Sequence, residues 1–252
     1  MEVSLTGKAI LVTGAARGVG AAVAAEAAAS GAEALVLTDI DPIPGTFPCA
    51  VEAVTADLAT PEGPPAIIAA ALARFGRIDG LVNAAGLTSR GSFADADVAF
   101  WNRMFSVNAR APFFLMAGAI ADMTARKAPG SIVNIQSMNA HAGAPDLGVY
   151  SATKGALQTL TKNAAHAYMA DGIRVNGINL GWVDTETERH LHEVTLGKGE
   201  GWMAAQGAKL PLGRFVSVED AARTVVWLLS DASTPMTGVS MDLEQAVTGA
   251  PC

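Results

Sequence analysis

A short apolar run over residues 9–13 leads straight into Gly14-Ala15-Ala16-Arg17-Gly18-Val19-Gly20, and an alanine-rich helical stretch over 19–30 follows. Few folds accept a strand, a glycine turn and a helix in that order. Glycines allow a tight turn and let the backbone approach a ligand closely. The helix that follows points its unpaired N–H groups and positive dipole end at the turn, which suits a pyrophosphate. A glycine-rich turn alone says little. Between a strand and a helix, at the head of an alternating pattern, it points to a dinucleotide.

The rest of the chain continues that alternation. Strand-like runs lie at 34–38, 53–56, 80–83, 131–136 and 174–180, with a weaker one at 238–242. They are short, apolar and often β-branched, as expected of strands covered on both faces. Helical stretches lie at 61–75, 98–126, 151–171 and 218–229. The pattern predicts an α/β fold: one doubly wound, Rossmann-like parallel sheet with helices on both faces, in a single domain over 1–252. With half of 252 residues apolar and only 16% charged, the chain has the material for such a core. Thr60-Pro61 reads as an N-cap and first helical residue, Ser217-Val218-Glu219-Asp220 as a capping box with Asp in place of Glu, and Gly31 and Gly76 as helix stops. Residues 185–210 break the rhythm and carry Gly197, Gly199 and Gly201, so a mobile substrate lid is expected there.

Asp39 closes the second strand about 20 residues beyond the glycine turn. A carboxylate at that place accepts hydrogen bonds from ribose hydroxyls and repels a 2′-phosphate, which favours NAD over NADP. Tyr150 and Lys154 stand four apart in a helical stretch, so their side chains share a face. An ammonium near a phenol favours the phenolate and is expected to lower its pKa, giving an acid or base for proton transfer. Ser137, just past the fifth strand, can hydrogen-bond a substrate oxygen as charge develops. Asn108 lies inside a long helical stretch, a poor place for asparagine without a special reason.

The turn reads T-G-x-x-x-G-x-G rather than G-x-G-x-x-G. Together with Asn83-Ala84-Ala85-Gly86 and Tyr150-Ser151-Ala152-Thr153-Lys154, it resembles the short-chain dehydrogenase/reductase family over nearly the whole chain. The resemblance implies a nicotinamide cofactor held by Gly14, Arg17, Gly18, Val19 and Gly20, with Asp57 and Leu58 at the adenine and Asn83, Ala84 and Gly86 along the adenosine. It gives Gly181, Val183 and Thr185 to the carboxamide, and Tyr150 and Lys154 a further contact with the cofactor. It implies a catalytic set of Asn108, Ser137, Tyr150 and Lys154, in which the Asn108 backbone carbonyl holds a water of a proton relay. It also implies a homotetramer or homodimer. In similar proteins a basic residue in the turn sometimes meets a 2′-phosphate, so Arg17 competes with Asp39, and the carboxylate is expected to prevail at close range. Two departures stand out: Leu180 replaces a common proline, and Asp242-Leu243-Glu244-Gln245 replaces a common D-G-G.

A net charge of −7 without a Lys/Arg run argues against a nucleic-acid partner, and no run of 18 uncharged apolar residues suggests a membrane span. The N-terminus lacks a secretory pattern, and two cysteines, Cys49 and Cys252, suggest a reducing, cytoplasmic setting. His141, His166, His190 and His192 do not have metal-ligand spacing, so no metal is expected. The leading reading is an NAD-dependent oxidoreductase acting on a secondary alcohol or ketone, such as a polyol, sugar or related hydroxy compound. His141, Asn139, Trp182 and Glu186 are candidates to meet its hydroxyl groups. The alternatives are a 3-oxoacyl carrier-protein reductase and a non-catalytic nucleotide-sensing scaffold.

Overall fold

In a computed structural model, which describes residues 3–141 and 143–245, seven parallel strands form one sheet. Cys252 lies outside the described residues. The strands are β1 (Ala9–Thr13), β2 (Ala34–Asp39), β3 (Ala50–Thr55), β4 (Gly80–Asn83), β5 (Gly130–Ser137), β6 (Ile173–Leu180) and β7 (Ser240–Leu243), in the order β3-β2-β1-β4-β5-β6-β7. The predicted strands all form, and β3 begins three residues earlier than its apolar residues suggest. Its N-terminal half is half-buried at the sheet edge, where apolar periodicity is weak.

The helices are α1 (Gly18–Ala29), α2 (Gly63–Phe75), α3 (Val98–Phe105), α4 (Ala111–Arg126), α5 (Gly148–Tyr168), α6 (Glu186–Arg189), α7 (Trp202–Gly207) and α8 (Val218–Leu229). One core lies on each face. Val23, Ala24 and Ala27 of α1 and Val225 and Val226 of α8 cover one face with Val12 and Leu37. Ile67 of α2, Leu115 and Ala119 of α4, and Ile132 and Val175 of the sheet fill the other. Burial on both faces explains why the strands read as unbroken apolar runs.

Local signals explain several helix ends. Ser217 Oγ accepts from Asp220 N at 3.1 Å and Asp220 Oδ2 accepts from Ser217 N at 3.0 Å, the reciprocal cap expected of α8. Gly76 takes a left-handed φ of 72° to end α2. α2 starts at Gly63 rather than at Pro61: Pro64 and Pro65 occupy its first turn, where missing N–H groups do no harm. Thr60 still helps, its Oγ1 accepting from Gly63 N at 3.2 Å. The stretch expected as one helix over 98–126 is divided by a π-helical turn, Ser106–Arg110, which holds Asn108. Its composition and length would suit a membrane span, with a mean hydropathy of 1.3, yet 56% of that apolar window is buried within the protein.

The sheet places the site. Chain order reverses at β1, whose neighbours are β2 on one side and β4 on the other. Loops leaving the C-terminal ends of β1 and β4 therefore diverge to opposite faces and open a crevice, where ligands bind in sheets of this kind.

Candidate active site

That crevice is a cleft of about 980 Å³, running from the glycine turn and Asp39 at one end to Ser137 and Tyr150 at the other. Its volume matches that of a large small-molecule site.

At the first end the backbone must pass close to itself. Gly14 has φ 69°, and a Cβ there would lie 2.8 Å from Ala85 Cα and N. A Cβ on Gly20 would strike the Gly14 carbonyl. Thr13 Oγ1 accepts from Ala84 N at 3.1 Å and Ala85 N at 3.0 Å, pinning β1 to the loop after β4. Asp39 Oδ2 accepts from Ala16 N at 3.0 Å and Oδ1 from Asp41 N at 3.2 Å, so the carboxylate is fixed against the turn. Arg17 is ion-paired with Asp41, both half-exposed. Asp57 Oδ1 accepts from Ala59 N at 2.8 Å, and Asp57 and Leu58 line the cleft.

At the other end, Ser137 closes β5 and Tyr150 and Lys154 rise from the first two turns of α5. A buried polar ladder sets the position of that helix. Asn83 Nδ2 donates to Asn134 Oδ1 at 2.8 Å, Asn134 Nδ2 donates to Thr161 Oγ1 at 2.9 Å, and Gln136 Nε2 donates to the same hydroxyl at 2.8 Å. Bonds of this kind in a dry interior fix one arrangement of helix on sheet. Lys154 Nζ donates to the Ile135 carbonyl at 2.8 Å and stands 5.8 Å from the centre of the Tyr150 ring. Burial pushes the Lys154 ammonium down to about 8 and the Tyr150 phenol up to about 12, while a hydrogen bond with Ser137 pulls the phenol back down. The phenol expected to be acidified by Lys154 is thus held protonated: desolvation is the largest influence on it and outweighs the Ser137 hydrogen bond.

Asn108 sits behind these groups. Its Oδ1 accepts from Leu87 N at 2.8 Å, and its Nδ2 donates to the Leu87 carbonyl at 2.9 Å and to Thr153 Oγ1 at 3.1 Å. The side chain therefore ties the loop after β4 to α5. Among the expected site residues, Asn83 and Asn108 do not line the cleft, whereas Gly14, Arg17, Gly18, Val19, Gly20, Asp39, Asp57, Leu58, Ala84, Gly86, Ser137, Tyr150, Lys154, Gly181, Val183 and Thr185 do.

The segment 185–210 is largely helical. Thr185 Oγ1 accepts from Glu188 N at 3.1 Å to start α6, which continues as a π-helical turn, His190–Thr195. Trp182, His192, Trp202 and Phe215 form an aromatic cluster; His192 stacks on Trp202 with centroids 4.6 Å apart, and Trp182 packs edge-on against His192, Trp202 and Phe215. Of the polar candidates, Asn139 and Trp182 line the cleft. His141 instead lies 3.1 Å from Asp242 Oδ1 and 3.2 Å from Asn179 Nδ2, away from it. Glu188, rather than Glu186, faces the cleft, with Leu87, His192 and Lys198. The T-x-x-E spacing from Thr185 to Glu188 was the sequence signal for the helix start that turns Glu188 inward. Glu244, in the unusual C-terminal segment, also reaches the cleft: its Oε2 accepts from Trp182 N at 3.0 Å, and its carboxylate fills the space a side chain at Gly181 would need.

The glycine turn, the fixed carboxylate and the long cleft fit a nicotinamide dinucleotide: only glycine at 14 and 20 lets the turn fold this tightly at the head of the cleft. Fold and site thus define an oxidoreductase of the Rossmann type that uses a nicotinamide cofactor. A family model described as enoyl-(acyl carrier protein) reductase matches residues 14–245. The chain is 33% identical to 2-(S)-hydroxypropyl-CoM dehydrogenase 3 of Xanthobacter autotrophicus, over 98% of this chain and 99% of that one. It is 34% identical to L-xylulose reductase of Bos taurus, over 97% and 98% respectively. The solved structure of an L-sorbose reductase from Gluconobacter frateurii, complexed with NADPH and L-sorbose, matches it with a TM-score of 0.90 at 29% identity, over 100% of both chains. The protein belongs to the short-chain dehydrogenase/reductase family.

Proposed function

We propose that the chain is an NAD(H)-dependent dehydrogenase of a polyol, sugar or related hydroxy compound, with Tyr150 as its acid/base. The observation that carries this reading is the meeting of Ser137, Tyr150 and Lys154 at one end of a cleft whose other end is the glycine turn and Asp39. The similarity to L-xylulose reductase and to the L-sorbose-bound structure supports a polyhydroxylated substrate.

Residues 14–20 would take the pyrophosphate, Asp39 the adenosine ribose, Asp57 and Leu58 the adenine side, and Gly181, Val183 and Thr185 the carboxamide. A bound nicotinamide would supply the hydride acceptor or donor. Tyr150 takes the hydroxyl proton in alcohol oxidation and returns it in ketone reduction. A phenol kept protonated by burial is ready for the second direction; for the first, the Ser137 hydrogen bond favours its ionisation. Ser137 holds the reacting oxygen. Asn108 fixes the Leu87 loop against α5 and so keeps Lys154 in register.

Asp39 supports NAD over NADP, because both its oxygens are anchored at the end of β2 and a 2′-phosphate would meet a fixed negative charge. Arg17, the competing cation, is already paired with Asp41. Exposed Val98, Trp101, Phe113 and Phe114 on α3 and α4 support an assembly of identical subunits, a homotetramer or homodimer. A spectrophotometric NADH screen across polyols, sugars, aldonates and hydroxy acids, run with NAD and with NADP, tests the reading. It expects turnover with a polyhydroxylated substrate and a higher kcat/KM with NAD. No turnover with any alcohol, or a preference for NADP, contradicts it.

A further inference from the structure

Glu188 is a carboxylate in the substrate half of the cleft that the proton chemistry does not use. Its side chain is only 21% exposed. Trp182 Nε1 donates to its Oε2 at 3.2 Å, and His192 Nε2 lies 3.5 Å from the same oxygen. His192 is in turn oriented: its Nδ1 faces Lys198 Nζ at 3.1 Å, and its ring stacks on Trp202. Burial and the Lys198 charge push the imidazole down, keeping it neutral with Nδ1 as acceptor, which leaves the Nε2 proton for Glu188. One carboxylate oxygen is thus held by two rings. Among the described residues no hydrogen bond reaches the other, Oε1.

The carboxylate lines the same cleft as Ser137 and Tyr150. Its charge is felt at the Tyr150 phenol, where it adds to burial in holding the proton on. The two rings occupy one oxygen of this partly buried carboxylate, and the other keeps acceptor capacity for a donor on a ligand. A hydroxyl beside the reacting carbinol supplies such a donor without adding charge, and hydrogen bonds to an ionised acceptor are about twice as strong as neutral ones. A carboxylate on the substrate at that place would be repelled.

Resting on the dehydrogenase reading above, the geometry points to Glu188 as the residue that selects the substrate, its Oε1 accepting a hydrogen bond from a second hydroxyl near the reacting carbinol. The favoured substrate class is then a neutral diol or polyol rather than a simple secondary alcohol or a hydroxy acid with its carboxylate next to the carbinol. Trp182 and His192 are positioning residues that hold the carboxylate in place.

The test compares kcat/KM for 2,3-butanediol with 2-butanol, and for a pentitol with 2-pentanol, in wild type, Glu188→Ala, Glu188→Gln and Trp182→Phe. The diol-to-monool ratio is expected to fall tenfold or more in Glu188→Ala, and less in Glu188→Gln, which keeps a polar group, and in Trp182→Phe, which only unpins the carboxylate. A binding arm is independent of turnover: on a Tyr150→Phe background, adding Glu188→Ala is expected to raise the pentitol Kd by a similar factor, read by tryptophan fluorescence. If Glu188→Ala lowers diol and monool kcat/KM equally, or leaves the pentitol Kd unchanged, the assignment is overturned. If wild type oxidises no alcohol, the dehydrogenase reading fails, and the binding arm still decides whether Glu188 takes a hydroxyl.

Discussion

Replacing Gly14 by alanine separates two demands that the turn places on one residue. The first is conformational: φ is 69°, and an L side chain in that region costs about 1–2 kcal/mol. The second is spatial: the new Cβ would sit 2.8 Å from Ala85 Cα and N and 3.1 Å from Ala84 C. All three are backbone atoms at the end of β4, which cannot swing away as a side chain would. Overpacking of this kind costs about 1–3 kcal/mol, so Gly14→Ala is expected to destabilise the fold by about 2–5 kcal/mol. Gly76 is the control. Its φ is 72°, and a Cβ there meets nothing within 4 Å, so Gly76→Ala is expected to cost only the conformational part, about 1–2 kcal/mol. The gain from restricting the unfolded chain is the same for both and drops out of the comparison. Urea unfolding of the two variants measures the difference, provided the slope of free energy on urea is unchanged. NADH titration followed by fluorescence adds the functional half: Gly14→Ala should bind it more weakly, and Gly76→Ala, at the far end of α2, as wild type does. Equal destabilisation by the two substitutions, or unaltered NADH affinity in Gly14→Ala, would refute the close-approach argument.

Asp39→Ser should move the ratio of kcat/KM for NADP to NAD upward by tenfold or more, and an unchanged ratio would show that the carboxylate does not discriminate. Asp220 is held at about 2 by Arg214 and by the Ser217 cap, below its usual value of about 3.9. It therefore contributes stability that is present above about pH 4 and lost as pH falls towards 2; urea unfolding at pH 5 and pH 3 should show a smaller acid loss in Asp220→Asn than in wild type. The segment 185–210 is proposed to be a lid. Gly197, Gly199 and Gly201 all take positive φ with open space where a side chain would stand, so its two helical parts can shift about them. Hydrogen exchange there should slow when cofactor and substrate are both present. Strong protection that ligand does not change rules out the lid.

The glycine turn, the strand–helix alternation and the Tyr150–Lys154 pair were legible because each rests on local spacing. A residue before a turn, a helical period of four and a capping box are all written within a few positions. What stayed hidden is decided by long-range contact. Asn83 belongs to a family motif, yet its amide is spent on Asn134, 51 residues away, in the ladder that seats α5. Glu244 fits the space over Gly181 and accepts from Trp182 N, 62 residues away, and no local pattern records that match. The choice between Glu186 and Glu188 turned on where α6 begins, and element boundaries are the least certain part of a sequence reading. The Tyr150 phenol shows the same limit in electrostatics: the sequence puts a lysine near it, but only packing tells that desolvation has the larger effect.

Tyr150→Phe isolates the proton transfer, because it removes one hydroxyl from a ring that packs beside Met104 and Val149 and leaves the glycine-turn end of the cleft untouched. With a substrate identified in the NADH screen, kcat should fall by about 10²–10⁴-fold, the range for losing a general acid or base, while NADH Kd stays within about twofold of wild type. A variant that keeps more than about a tenth of the wild-type kcat would contradict the assignment of Tyr150 as the group that moves the proton.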